Sequence, residues 1–157
     1  VEFKQTMWWD IQLREKSRAV LHAAVKTVGA FLNSFGGTLL IGIANDGQPV
    51  GLDDDLKAMR DGTIDKFERA FREALSNGLQ PDLSHLVTVW FPFVGGIQIC
   101  QVDVKRSHEP VFVVDRNVAE LYVRRGNASK PLDLRAGVDY TREHWGGRSP
   151  SMSPNRP

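Results

Sequence analysis

The sequence predicts an α+β domain with a mixed, mainly antiparallel sheet of about five or six strands packed by two main helices. Two observations support this prediction. Apolar residues recur at helical spacing in residues 17–35 and again in residues 65–75, and glycine or proline follows each segment. Most of the remaining chain consists of short runs rich in Val, Ile and aromatic residues, separated by turn-forming residues, which is the pattern of antiparallel strands.

The amino-terminal half predicts the order strand, long helix, strand. Residues 1–6 alternate apolar and polar side chains, as a short strand does. The helical segment 17–35 is expected to end at Gly36 and Gly37, because glycine readily adopts the positive φ found at helix ends. Residues 38–43 then predict a buried strand, and the Asn-Asp-Gly turn after it predicts a hairpin with a short returning strand.

The second half predicts a helix followed by two hairpins. Residues 53–61 are expected to form a polar connection, in which the run Asp53, Asp54 and Asp55 is solvated. After the helix at 65–75, the turns at residues 95–96 and 115–117 each separate two strand-like runs. A short helix is expected within residues 131–145. We therefore expect one domain over residues 1–145 and a disordered tail or linker over residues 146–157, which are rich in Gly, Ser and Pro.

Composition limits the possible classes of protein. A net charge of +1 over 157 residues gives no bulk argument for a polyanionic partner. The single cysteine, Cys100, excludes an internal disulfide and a cysteine-based zinc site within one chain, which fits a reducing compartment. No apolar run approaches the roughly 20 residues needed to span a bilayer, and residues 1–16 are too polar for a signal peptide. We expect a cytoplasmic protein without membrane contact, and, because the chain opens at Val1, a fragment of a longer protein.

Four motifs carry a family resemblance: VEFK at the start, AFLNSFGG at residues 30–37, TLLIGIANDG followed by VGL at 38–52, and LYVRRGNASKPL at 121–132. Together they resemble the Schlafen AlbA-like family of DNA-binding domains, over Val1 to about Leu132. The resemblance implies an α+β domain that binds DNA or RNA in regulatory or defence proteins, transcriptional regulators among them. Animal Schlafen proteins carry two such lobes, so a homodimer of this chain would supply the second lobe.

Some Schlafen relatives are metal-dependent ribonucleases that use two glutamates near the first strand and an aspartate after the second. Glu2 matches one of these glutamates, the other has no counterpart in this chain, and only Asp46 lies near the third place. If the first two strands are neighbours, Glu2 and Asp46 could hold Mg²⁺ or Mn²⁺ against a phosphate. The favoured alternative makes Glu2 a surface charge on an edge strand and makes Asp46 a turn residue. No cofactor is expected unless the chain is a nuclease.

Basic residues are the predicted nucleic-acid contacts, with the Arg-Arg-Gly sequence at residues 124–126 the most prominent. Arginine can bind phosphate oxygens bidentately, and the glycine, asparagine and serine that follow offer N–H and hydroxyl donors. The alternative is an exposed strand end whose charges discourage edge pairing. The complete set of predicted contacts is Lys4, Lys105, Arg106, Arg124, Arg125 and Lys130.

The predicted function is a nucleic-acid-binding module that contacts the phosphate backbone without reading sequence. Two alternatives stay open. One is a divalent-metal-dependent endoribonuclease of Schlafen type. The other is a protein-interaction module whose contact is the two-tryptophan segment, Trp8 and Trp9, since an exposed tryptophan can mark a partner surface.

Overall fold

The computed structural model describes residues 1–146. Within this range there are four α-helices: α1 (Arg18–Leu32), α2 (Asp53–Lys57), α3 (Ile64–Gly78) and α4 (Leu134–His144). The strands are β1 (Glu2–Lys4), β2 (Trp9–Asp10), β3 (Glu15–Lys16), β4 (Gly37–Ile41), β5 (Leu79–Gln80), β6 (Val87–Trp90), β7 (Phe93–Val94), β8 (Ile97–Gln98), β9 (Cys100–Val104), β10 (Phe112–Asp115), β11 (Val118–Glu120), β12 (Tyr122–Arg125) and β13 (Ala128–Pro131). A 3₁₀ turn, Ser84–Leu86, precedes β6.

A four-stranded sheet with the order β1-β4-β9-β6 forms the centre of the fold. β1 runs parallel to β4, and the other two pairs are antiparallel. Alternate side chains of β4 and β9, such as Leu39, Ile41 and Val102, are fully buried, so this face of the sheet belongs to the core. The α+β class and the mainly antiparallel pairing are confirmed. The strands are divided between this sheet and smaller ones, because β10–β13 form hairpins that pack on α1 instead.

The two main helices lie where the apolar periodicity predicts them. Ser17 caps α1 by accepting a hydrogen bond from the N–H of Val20, and Thr63 caps α3 in the same way. α1 and α3 pack together, and Phe67 and Phe71 of α3 are fully buried. α1 ends three residues before the predicted boundary, because the side chain of the residue after Leu32 is engaged in other bonds, described below.

The predicted solvated run at residues 53–55 is wrong for Asp55, although Asp53 and Asp54 are exposed. These residues open α2, and the Asp55 side chain is buried, with 1% of its surface exposed. Its carboxylate accepts hydrogen bonds from the backbone N–H groups of Met7, Trp8 and Trp9, at 2.7, 3.0 and 3.1 Å. A buried turn needs acceptors for such donors, and Asp55 supplies them from a distant part of the chain.

The same turn determines how far the two tryptophans are buried. Trp8 is 8% exposed and belongs to the core, and its indole N–H donates to the Asp55 carbonyl. Trp9 is half-buried and packs against that core. The segment therefore serves the fold's own interior rather than presenting an open aromatic surface. No helix within residues 1–146 is long and apolar enough to cross a membrane, and the predicted tail after Gly146 lies outside the described residues.

Candidate nucleic-acid interface

Asn33 fixes the carboxyl end of α1 to three other elements. Its side chain is fully buried, its Nδ2 donates to the carbonyls of Val111 and Tyr122, and its Oδ1 accepts from the N–H of Val111. The backbone carbonyl of Asn33 accepts from the hydroxyl of Tyr140 on α4. One asparagine thus holds the residue that precedes β10, the first residue of β12, and α4 around the point where α1 ends.

The next residues attach a hairpin and a loop to the same helix end. The hydroxyl of Ser34 accepts from the N–H of Arg124 at 2.9 Å, which places the β12–β13 hairpin beside α1. Gly36 has φ +74°, and a Cβ atom there would lie 2.5 Å from the carbonyl oxygen of Val104. Since only glycine allows this approach, the chain after β9 passes close to the helix end and brings Arg106 there.

A cleft of about 460 Å³ opens at this helix end. Its lining residues come from the start of the chain, from the end of α1 with the turn after it, and from the β12–β13 hairpin: Val1, Phe31, Ser34, Phe35, Gly36, Arg124, Gly126 and Asn127. Arg106 lies at its border, where its guanidinium carbon is 5.4 Å from the centre of the Phe35 ring. We call this site the helix-end cleft. It combines cationic, hydroxyl and aromatic groups, which is the chemistry that nucleic acid requires.

Inside the cleft, Arg124 is paired with Glu2. Its Nη2 donates to the Glu2 carboxylate at 3.1 Å, and its Nη1 donates to the hydroxyl of Ser129 at 3.0 Å. Lys4 lies 3.8 Å from the same carboxylate, and burial, with a smaller contribution from Arg124, lowers the pKa of Lys4. Glu2 therefore sits between two cations, and the three side chains together carry a net positive charge.

The four other predicted basic contacts are all exposed, and none of them forms a salt bridge within residues 1–146. Arg106 donates to the backbone carbonyl of His144 at 3.0 Å. Arg125 and Lys130 share one face of the β12–β13 hairpin, the opposite face from Arg124. Lys105 is the one of these four residues that lies away from the cleft. It follows the outward-facing Asp103 of β9 by two residues, so it lies on the far side of the central sheet.

The proposed carboxylate pair is not supported by the geometry. β1 and β4 are neighbours, as expected, and Glu2 is beside Leu39 on an edge strand. Asp46, however, is seven positions beyond Leu39, is exposed, and accepts from the N–H of Gln48, as a turn residue does. No group of three or more His, Cys, Asp or Glu side chains in the described part of the chain could hold a metal ion.

Sequence reasoning missed three residues that line or support the cleft. Nothing in the neighbouring sequence marks Asn33, Phe35 or His144 as part of a site, because the role of each depends on contacts with residues that are distant in the chain. His144 stands with its ring 5.6 Å from the Phe35 ring and stacks on Tyr140 at 4.9 Å. Burial, and next the charge of Arg106, lower the pKa of His144, so it is neutral at pH 7. The glycine pair after Phe35 was the one available clue to a close backbone approach.

A comparison with protein families shows which family the chain belongs to. The family model described as Schlafen, AlbA_2 matches residues 1–133, which include every residue that lines the helix-end cleft. The chain belongs to the Schlafen AlbA_2 family. The sequence resemblance is thereby confirmed over the range in which it was expected. None of the curated proteins matches the chain.

Two solved structures resemble this Schlafen AlbA_2 domain to different degrees. The DIP2311 protein from Corynebacterium diphtheriae has a TM-score of 0.61 at 18% identity, over 92% of this chain and 28% of that protein. The chain thus corresponds to under a third of that protein's length, and the likeness shows the fold alone. The N-terminal domain of a Nitrosomonas europaea protein described as related to the ATP-dependent DNA helicase RecG has a TM-score of 0.47 at 26% identity, over 68% of this chain and 72% of that domain.

Proposed function

We propose that this Schlafen AlbA_2 domain binds nucleic acid by its phosphate backbone, at the helix-end cleft. The observation that carries the proposal is the meeting of Arg124, Arg106 and the exposed Gly126–Asn127 turn at a single cleft, although they come from separate parts of the chain. Membership of a family of DNA-binding domains supports it further. The binding is sequence-independent, because the basic groups suit phosphate oxygens rather than base edges.

The electrostatics distinguish two kinds of arginine in this proposal. Arg124 is only 11% exposed in its side chain and is held by Glu2, so it mainly sets the shape and local charge of the cleft. Arg106, at the border of the cleft, and Arg125, on the other face of the adjoining β12–β13 hairpin, are exposed and free of salt bridges within residues 1–146, so they can approach a phosphate without first losing an ionic partner. We therefore assign them the larger share of the affinity, with Lys130 beside Arg125 as a weaker contact.

Fluorescence anisotropy with labelled oligomers of about 12 nucleotides tests this proposal, since binding sites of this kind span about 4–16 nucleotides. For the unmodified domain, the logarithm of the affinity should fall linearly with the logarithm of salt concentration between about 50 and 200 mM. In the double variant Arg106→Ala/Arg125→Ala, affinity should drop and the slope should become shallower by about 0.7–0.9 for each lost contact.

The matched control for each single variant, Arg106→Ala or Arg125→Ala, is Arg69→Ala. Arg69 is an exposed arginine of α3, a helix that packs against α1, β5 and β10 rather than forming part of the cleft. Each of the three substitutions removes one positive charge, so the comparison separates the position of a charge from the net charge of the domain. If Arg69→Ala weakens binding as much as Arg106→Ala or Arg125→Ala does, the proposed site is contradicted, and salt-independent affinity would contradict a phosphate-binding function altogether.

A further inference from the structure

Phe35 is the most exposed aromatic side chain in residues 1–146, with 81% of its surface open to solvent. Its neighbours Asn33 and Ser34 point inward and are buried, so the turn after α1 directs the Phe35 ring outward. An aromatic ring held in water at the border of a cationic cleft therefore calls for a ligand that covers it.

The ring of Phe35 is supported by the groups around it. The Arg106 guanidinium carbon lies 5.4 Å from the ring centre, a cation–π distance, and the His144 ring meets it edge-on at 5.6 Å and 73°. The close approach of Gly36 to the backbone of Val104 fixes the loop that carries Arg106. Arg106 thus lies over the ring and His144 makes a T-shaped contact with it, while most of the surface of Phe35 stays open.

We propose that Phe35 stacks on an unpaired base, so that the nucleic acid held at the helix-end cleft is single-stranded. This inference rests on the proposed function. Bases of any identity stack on aromatic rings, and a stacking ring beside a basic groove is the usual arrangement for single strands. A base inside a duplex has both faces covered by its neighbours and offers none to Phe35 unless it is extruded.

The surroundings of the ring favour a nucleic acid over an apolar protein partner. Phe35 lines the cleft with Arg124 and the polar Gly126–Asn127 turn, and Arg106 stands beside it, so a bound base would have phosphate-binding groups on either side. The exposed Phe93, by contrast, lies in a hairpin with the exposed apolar residues Val94 and Ile97. That contrast makes Phe93 the natural control residue.

Three labelled probes of equal length separate stacking from charge: a single strand, the same strand with abasic sites, and a duplex. Phe35→Ala should weaken single-strand binding by about 5- to 100-fold, the range expected for loss of one base–aromatic contact. Phe35→Trp should keep the affinity, and Phe93→Ala should leave it unchanged. The salt slope should stay the same in all three variants, because none of them removes a charge. The abasic strand should bind weakly and lose nothing further in Phe35→Ala.

The outcomes that overturn the inference are distinct from failure of the proposed function. Equal single-strand affinity for the parent and Phe35→Ala, with binding still dependent on Arg106 and Arg125, overturns the stacking role and leaves the phosphate-binding function standing. If the duplex binds as tightly as the single strand, the stacking role is likewise overturned and the phosphate-binding function is retained. Absence of salt-sensitive binding to all three probes overturns both. Circular dichroism of each variant confirms that the fold is kept, which is expected because Phe35 and Phe93 are exposed.

Discussion

Replacing Asn33 with alanine tests whether one buried side chain assembles the helix-end cleft. Its amide makes three hydrogen bonds, two to the carbonyls of Val111 and Tyr122 at 2.8 and 2.9 Å and one from the Val111 N–H at 2.8 Å. Asn33→Ala leaves all three groups without that partner in a site where the side chain is fully buried. At about 1–3 kcal/mol for each unsatisfied group, partly relieved by water, we expect the free energy of unfolding to fall by about 3–5 kcal/mol.

Urea unfolding followed by tryptophan fluorescence measures this loss, and the melting temperature should fall by about 10 °C or more. Asn33→Asp should be at least as destabilising at pH 7, because a carboxylate oxygen would then face the two carbonyls in place of a donor. The exposed Asn77→Ala is the control and should change the free energy of unfolding by no more than about 0.5 kcal/mol. A loss below about 1 kcal/mol for Asn33→Ala would refute the reasoning.

Three further substitutions test separate parts of the account. Asp55→Asn keeps one acceptor oxygen for the three N–H donors of the amino-terminal turn, so urea unfolding should show a loss of about 2 kcal/mol, and a neutral effect would contradict the role of the carboxylate. Glu2→Gln removes the negative partner of Arg124 and should strengthen single-strand binding; cleavage that needs Mn²⁺ and disappears in this variant would instead establish the ribonuclease alternative. Because the pKa of His144 is lowered in the folded state, the unfolded chain binds more protons below about pH 6.5, so stability should fall as pH decreases through that value, less steeply in His144→Gln; equal slopes would contradict this.

The elements that follow local pattern were predictable from sequence. Apolar spacing predicts α1 and α3, and the Gly95–Gly96 turn predicts the hairpin in which both glycines have positive φ. The strand predicted over residues 119–125 is interrupted at Leu121, which is buried and whose carbonyl accepts from the N–H of Leu132. That interruption depends on a hydrogen-bond partner eleven residues away, and the apolar periodicity of a strand gives no information about such a partner.

The basic residues of the site could be predicted from the sequence, but the contacts that bring them together could not. The sequence identifies Arg124, Arg125 and Arg106 as phosphate contacts, yet nothing local shows that the first is paired with Glu2 across 122 positions. The same limit explains Asp55, whose run of acidic neighbours suggests solvent exposure although its partners lie 46–48 positions away. Burial of a polar side chain is decided by distant donors and acceptors, and a single sequence carries no record of them.

The most direct test of backbone binding by the exposed arginines at and beside the helix-end cleft is the salt dependence of single-strand affinity in parent and Arg106→Ala/Arg125→Ala proteins. For the parent, the logarithm of the affinity should decrease steeply and linearly with the logarithm of salt concentration, and the variant should show a lower affinity and a shallower slope. Coincident lines for the two proteins, or an affinity that does not respond to salt, would contradict it.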